Sequence, residues 1–431
     1  DGVRAADYLT QAARQAKQRS ALKEAEHLYR KAIHLSDRTA PSSLSLQCEF
    51  VRTVLILTGQ FKAAQEQYEA TLAEARRAGD RRSEAEALLG LSEVVRIFGR
   101  LADSLQDAAD ALAISRALDD RKLEAAGFRA LGKCRMEQGD LDGAMQYYES
   151  ALEIHRAVGD RISEASVSAH IARVRSNQGR MNEALILYEQ AMLIYRQLNE
   201  IMYQGPCLVN IAVIHHEQGR FERALSVYQE SLEIHRRIGD LRSEAVTLSN
   251  IASLLPSMNR ADEAGAMYLK ALEILRDIGD RGNEGKTLRS YAMFLHQQGD
   301  PVQARNLLEQ ALGIHREVDD RYSEIRALRH LATMHADEGN LGEAFRLLDE
   351  TLSLERKINR RLSEAVTLYH LAGLKSRATG DLDAAGELIR GVEMLAIELN
   401  NPAVQIVCLC ERGHIELARG RACRYLLEDA E

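Results

Sequence analysis

The chain has 431 residues, 45% of them hydrophobic and 28% charged, with five prolines, no tryptophan and a net charge of −8. Such a composition suits helices and disfavours sheets, and the acidic balance gives no reason to expect nucleic acid or an anionic membrane as partner. No apolar run nears the ~20 residues needed to cross a bilayer, no signal peptide opens the chain, and the cysteines at 48, 134, 207, 408, 410 and 423 show no CxxC pair or disulfide framework; a reduced, cytoplasmic protein is expected.

From the first residues onward the chain repeats itself every 40 positions. Gly159-Asp160-Arg161, Gly239-Asp240-Leu241 and Gly279-Asp280-Arg281 mark the period, each preceded by Ile-His-Arg or Ile-Leu-Arg. A period of this size means a stack of supersecondary units, none able to bury its apolar face alone. The units are expected at roughly 3–40, 41–80, 81–120, 121–160, 161–200, 201–240, 241–280, 281–320, 321–360 and 361–400, with a partial one at 401–431, forming a single solenoid over 1–431. The start at Asp1 without Met, and the stop at Ala430-Glu431 without a polar capping unit, lead us to expect a segment of a longer protein, and uncapped ends allow self-association.

One unit, Arg121 to Asp160, shows the pattern. Phe128, Leu131, Gly132 and Arg135 share one face of a first helix, which ends at Gln138-Gly139, where Gly suits a left-handed closing residue. Asp140 can cap the second helix, in which Ala144, Tyr148, Ala151 and Leu152 recur at helical spacing. Down the columns, the turn glycine returns at 59, 99, 139, 179, 219, 299 and 339. Ala64, Ala144, Ala184, Ala224, Ala264, Ala304 and Ala344 stand four residues before Tyr68, Tyr148, Tyr188, Tyr228, Tyr268, Leu308 and Leu348. A small residue beside a large one is what interdigitated helix packing needs.

The spacing of Gly132, Tyr148 and Ala151 resembles the tetratricopeptide repeat, with Leu and Phe where that motif has Trp. The resemblance covers roughly residues 3–431, about ten complete repeats and one partial. It implies an all-α, right-handed superhelical solenoid of antiparallel helix pairs, about 10 to 11 repeats long. One departure stands out: Arg at 76, 116, 156, 196, 236, 276, 316 and 356 replaces the proline that usually ends the second helix, and the repeat grows from 34 to 40 residues. That long form is similar to the arrays of kinesin light chains and of bacterial signalling proteins. A cation in a helix's last turn complements its dipole and can meet the Glu84, Glu124, Glu164, Glu244, Glu284, Glu324 and Glu364 column; a basic ridge for a partner is the other reading.

In that family the first helices line the concave groove, which places here the columns that begin at Glu86, Leu89, Gly90, Glu93, Arg96 and Ile97. Early repeats offer Arg96, Arg129, Lys133 and Arg173, later ones Lys286, Arg289, Arg326 and Arg329, and neutral Val209, Val213, Val246, Ser249 and Ser253 lie between. Arg and Lys concentrated on one face suit carboxylates or phosphates, unless acids on neighbouring repeats balance them. Asn210 and Asn250 share a column with His170, Ser290, His330 and His370. The resemblance implies that asparagines here bracket the backbone of an extended peptide; a bond within the asparagine's own repeat is the alternative. The period is broken nearby, by Asn199-Glu200-Ile201, Gly205-Pro206 and Pro256, which should bend or end its helix. Either a widened groove or an adjusted curvature would follow.

Catalytic signatures are missing. His215-His216 diverge by about 100° on a helix, Cys408 and Cys410 also diverge, no zinc spacing or phosphate-binding glycine turn occurs, and His155, His235 and His315 form a packing column. The expectation is a non-enzymatic scaffold without cofactor or metal, whose partner is a protein or extended peptide with acidic groups. The alternative is the sensing or autoinhibitory arm of a bacterial NTPase, cyclase or Ser/Thr kinase.

Overall fold

The structure, a computed structural model, describes residues 2–18, 21–36, 40–98, 100–318, 320–358, 360–398 and 402–418. Gly99, Cys423 and Ala430-Glu431 lie outside the described residues. The helices, in chain order, are α1 (Gly2–Gln18), α2 (Leu22–Leu35), α3 (Pro41–Phe50), α4 (Phe61–Ala78), α5 (Arg81–Ile97), α6 (Leu101–Ala117), α7 (Arg121–Gln138) and α8 (Leu141–Ala157). There follow α9 (Arg161–Asn177), α10 (Met181–Gln197), α11 (Ile201–Glu217), α12 (Phe221–Ile238), α13 (Leu241–Leu254) and α14 (Ala261–Asp277). The last are α15 (Arg281–Gln297), α16 (Pro301–Glu317), α17 (Arg321–Asp337), α18 (Leu341–Lys357), α19 (Arg361–Leu374), α20 (Leu382–Glu398) and α21 (Pro402–Ala418). Odd numbers are first helices of a repeat and even numbers second helices, and the class is the all-α right-handed solenoid of helix pairs expected from the period. The described residues fall into two compact units, those in Asp1–Tyr291 with Glu317–Asp320, and those in Ala292–Arg316 with Arg321–Glu431.

The columns form the core. Tyr148 and its equivalents Tyr188, Tyr228 and Tyr268 are at most 1% exposed, and the alanines four residues before them are sealed. A large apolar side chain buried in this way contributes about 2 kcal/mol. Small residues are needed opposite the rings: a Cβ on Gly132 would come 2.6 Å from Tyr148 Cε1. The turn glycines are left-handed, as at Gly139 (φ 82°), and where the column lacks glycine before a second helix, Asn259 takes the same conformation (φ 58°). Pro256 acts as its chemistry requires: α13 stops at Leu254 and a 3-10 turn runs from Leu255 to Met258. Aspartates cap the helices, Asp140 accepting from the Gly143 N–H at 2.8 Å and Asp160 from Ser163 at 3.1 Å.

The arginine column belongs to the framework. Arg76 meets Glu84 at 3.0 Å, Arg156 meets Glu164 at 3.0 Å, Arg236 meets Glu244 at 2.8 Å and Arg356 meets Glu364 at 2.8 Å. Each bond joins the end of one repeat to the start of the next, so the extended second helix is held where proline would have stopped it. The exception follows the sequence: position 204 is Gln, and Arg196 turns instead to Glu230 at 3.0 Å. His155, His235 and His315 are buried, 4%, 0% and 0% exposed, and His235 occupies the space against Gly205, where a Cβ would lie 2.5 Å from its Cε1.

Candidate functional site

In the first unit the first helices of successive repeats pack side by side, α3 on α5, α5 on α7, α9 on α11 and α11 on α13. Among the described residues of that unit, successive second helices make no contact of that extent, so the first helices form the inner face of the curve. Side chains from neighbouring first helices therefore meet at about one period: Ser45 donates to Glu86 at 2.9 Å and Lys133 to Glu93 at 2.8 Å.

Glu93 is the hub of a charged cluster on that face. It accepts from Arg96 at 2.7 Å and from Lys133 at 2.8 Å, and Arg96 also bonds Glu137 of the next repeat. Burial alone would raise the Glu93 pKa, yet Arg96 and Lys133 hold it well below the usual carboxylate range. Burial pushes Lys133 down to about 8; Glu93 opposes the shift, and Arg129 and Arg96 add to it. The asymmetry of this pair is physical: Glu93 faces several cations, whereas Lys133 faces one carboxylate and two guanidinium groups. Side-chain exposures of 17% for Arg96, 32% for Glu93 and 16% for Lys133 mark a wetted concavity rather than a dry core.

Beyond Lys133 the cluster runs out of acids. His170 stacks on Tyr148 with ring centroids 5.3 Å apart, and its pKa is held well below the usual value by burial, then by Lys133, Arg173 and Arg129. Burial raises the Tyr148 phenol, with Arg173 and Arg129 opposing. Arg129 and Arg173 form no ion pair with any described residue, and Arg173 Nε is buried without a hydrogen bond. Counting Arg96, Arg129, Lys133 and Arg173 against Glu93 and Glu137, cations exceed acids here in a chain of net charge −8.

The structure places the other expected residues differently. Asn210 and Asn250 lie on the inner face, half-buried, but the Asn210 amide donates to the Pro206 carbonyl at 3.0 Å within its own helix. The Asn250 carboxamide has no hydrogen-bond partner among the described residues. Lys286 is exposed and 3.5 Å from Asp320, while Arg289 is buried, 9% exposed. In the second unit, Arg326 lies 5.9 Å from the Tyr322 ring and Arg329 is lowered in pKa by burial, with Glu355 opposing. That unit has a cavity of about 350 Å³ bounded by Thr333, Asp337, His370 and Arg377. Sequence reasoning missed the Glu93 hub. Its signal was present: Glu93 with Lys133, and Arg96 with Glu137, are opposite charges one period apart on the inner columns.

A second inner-face feature lies at the start of the first unit. Arg14 holds Glu49 through two bonds of 2.8 and 2.6 Å, and Tyr29 donates to the same carboxylate at 2.9 Å. Arg14 and Glu49 border a cavity of about 600 Å³ between α1, α3 and α5, where Asp7, Glu49, Asp80 and Glu86 outnumber Arg14 and Arg82. Among the described residues no group of three or more His, Cys, Asp or Glu could hold a metal ion, and no helix is long and apolar enough to cross a membrane. His215 and His216 do diverge: the first is buried and accepts from Arg223 at 3.2 Å, the second packs edge-on to Phe221. Cys408 is a buried thiol and Cys410 is half-buried.

The tetratricopeptide repeat family matches residues 123–197, 204–277, 243–317 and 283–357, together more than half of the chain. No curated protein matches it in sequence. Among solved structures, it is similar to a Rap protein complexed with competence and sporulation factor, at 16% identity and a TM-score of 0.60, over 83% of this chain and 99% of that one. It is also similar to the Rap conjugation gene regulator of plasmid pLS20 in complex with the Phr* peptide, at 12% identity and a TM-score of 0.56, over 82% of this chain and 96% of that one. At these identities the likeness is one of fold. The period, the capped helix pairs and the match over half the length agree, and the chain belongs to the tetratricopeptide repeat family.

Proposed function

We propose that the chain is a recognition scaffold that binds a protein segment or extended peptide along the inner face of its first helices, with acidic groups of the ligand at Arg129, Lys133 and Arg173. Asn210 and Asn250 would read the peptide backbone, and Lys286, Arg289, Arg326 and Arg329 would be the other cationic positions. The observation that carries this reading is the pair Arg129 and Arg173. They stand on the inner face beside the stacked Tyr148 and His170 with no carboxylate of the described residues bound, and guanidinium groups so placed suit a ligand carboxylate. Support also comes from the two similar structures, one holding a competence and sporulation factor and the other a Phr* peptide. The long repeat, with its arginine–glutamate clasps, is read as that of the long-repeat signalling arrays.

Affinity capture with the native chain, repeated with the Arg129→Glu/Arg173→Glu variant, tests the proposal. The partner held by the native chain should bind the variant more weakly by at least about 3 kcal/mol, each reversal costing about 1.5–3 kcal/mol of charged hydrogen bonding. An unchanged dissociation constant for that partner removes the inner face as the site.

A further inference from the structure

Positions matched by the period differ in exposure, and the difference traces a line across the first unit. Leu118, Val158 and Leu198 occupy one loop column and are 42%, 40% and 42% exposed, whereas Ile238 in the same column is 4% exposed and Ile278 is half-buried. The turn glycines Gly139, Gly179 and Gly219 are exposed, but Gly59 is buried. Phe61 is 4% exposed, while Leu141, Met181 and Phe221 at the same position are half-buried.

Direct contacts account for the line. A Cβ on Gly59 would lie 3.2 Å from Ile278 Cδ1. The Arg242 guanidinium sits 5.1 Å from the Phe61 ring centroid while its Nε bonds the buried Asp280 at 2.9 Å. A Cβ on Gly282 would lie 3.9 Å from the Ile97 carbonyl oxygen. In a solenoid each repeat contacts only its neighbours, and nothing in the repeat itself calls for these pairings. They join turns between first and second helices, at residues 59–61 and 97, to turns between second and first helices, at 242 and 278–282. Those two kinds of turn lie at opposite ends of the helices. Opposite edges of the wall meeting several repeats apart means that the wall has curled through a full turn and rests on itself.

We propose that this seam closes the inner face of the first unit into a lumen open only at its ends, so that it admits a short peptide with a free end and excludes the same sequence held inside a larger folded chain. The inference rests on the peptide-binding reading above and adds the kind of ligand. It also explains why Glu93, Lys133 and His170 are enclosed yet wetted. The acid-lined cavity between α1, α3 and α5 lies on the same inner face and receives a peptide's cationic amino end, and Arg129 with Arg173 receives its carboxylates.

A cysteine at Ala130→Cys, on the inner face of α7, reports access in a background whose native cysteines are replaced by alanine; Gln190→Cys on the outer face of α10 is the control. A glutamate-rich peptide bearing a maleimide is offered free, and then as a surface loop of a folded carrier. In the native seam the free peptide should label the inner cysteine and the loop should not, while both label the control. Ile278→Glu should raise loop labelling roughly tenfold or more by opening the seam. Val158→Glu, in the same column without a seam, should leave it unchanged. Arg242→Gln supplies a second opening variant, and circular dichroism checks folding. Equal labelling by loop and free peptide in the native seam overturns the lumen and leaves the binding reading intact. Failure of the free peptide to label the inner cysteine overturns both.

Discussion

The inner faces of α5–α9 and of α11–α13 are built from the same columns, yet their polar groups are used in opposite ways. On α5–α9 charges reach across the period, Lys133 to Glu93 and Arg96 to Glu137, and two arginines pair with no carboxylate among the described residues. On α11 and α13 the column residues are neutral apart from Glu217 at the end of α11, and Asn210 is bonded within its own helix. A repeat fixes which face a residue occupies; it does not fix whether the residue is free to meet a ligand. That depends on what stands one period away.

Removing the hub should have the largest effect. Glu93→Gln leaves Arg96, Lys133 and Arg129 facing one another and should destabilise the chain by about 2 kcal/mol, below the usual cost of stripping one partner from a buried pair because the concavity is wetted. Denaturant midpoints for the single variants and for Glu93→Gln/Lys133→Met measure it, and the double variant should recover roughly half of the loss. Additive losses would show that the charges act independently and would break the contrast with α11–α13.

His170 supplies a smaller, finer readout. Burial first, then Lys133, Arg173 and Arg129, hold its pKa well below the ordinary 6.5. Its unfolded form therefore binds a proton at a pH where the folded form does not, so stability is full above about 6.5 and falls as the pH drops below it. Proton NMR should show the His170 ring titrating below the ordinary histidine range, and Arg173→Met should move its titration upward by removing one of the cations. No movement would mean that burial alone sets the value and that the chamber carries little positive potential.

Much of the molecule was legible in the sequence because the period acts on neighbours. Gly139 and Asp140 announce a turn and a cap; Ala144 and Tyr148 announce a crossing; Arg156 and Glu164 are a clasp eight residues apart. The hub at Glu93 needed one further step, comparing charges across one period. The seam was beyond reach. Phe61 and Arg242, or Gly59 and Ile278, are separated by several repeats, and their meeting depends on how far each repeat rotates on the last, a small angle set by packing that multiplies along the chain. Sequence reasoning located the basic positions but treated them as equivalent. Lys133, tied to Glu93, and Arg129, paired with no acid among the described residues, differ only through the residues across from them.

The asparagines should give the smallest effect on stability and the sharpest test of the contrast. The Asn250 carboxamide has no hydrogen bond to lose among the described residues, so Asn250→Ala should change stability by no more than about 0.5 kcal/mol. Asn210→Ala removes only an exposed bond to the Pro206 carbonyl and should cost little more. Their effect on a captured partner should differ. Asn250 can turn both its donor and its acceptor to a peptide unit without giving up a bond, whereas Asn210 must first release Pro206. Asn250→Ala should therefore weaken binding more than Asn210→Ala, measured by titration calorimetry against the same partner. The reverse order would mean that Asn210 is already oriented for the ligand by its bond to the helix, and that the neutral stretch, rather than the charged one, is the pre-organised part of the inner face.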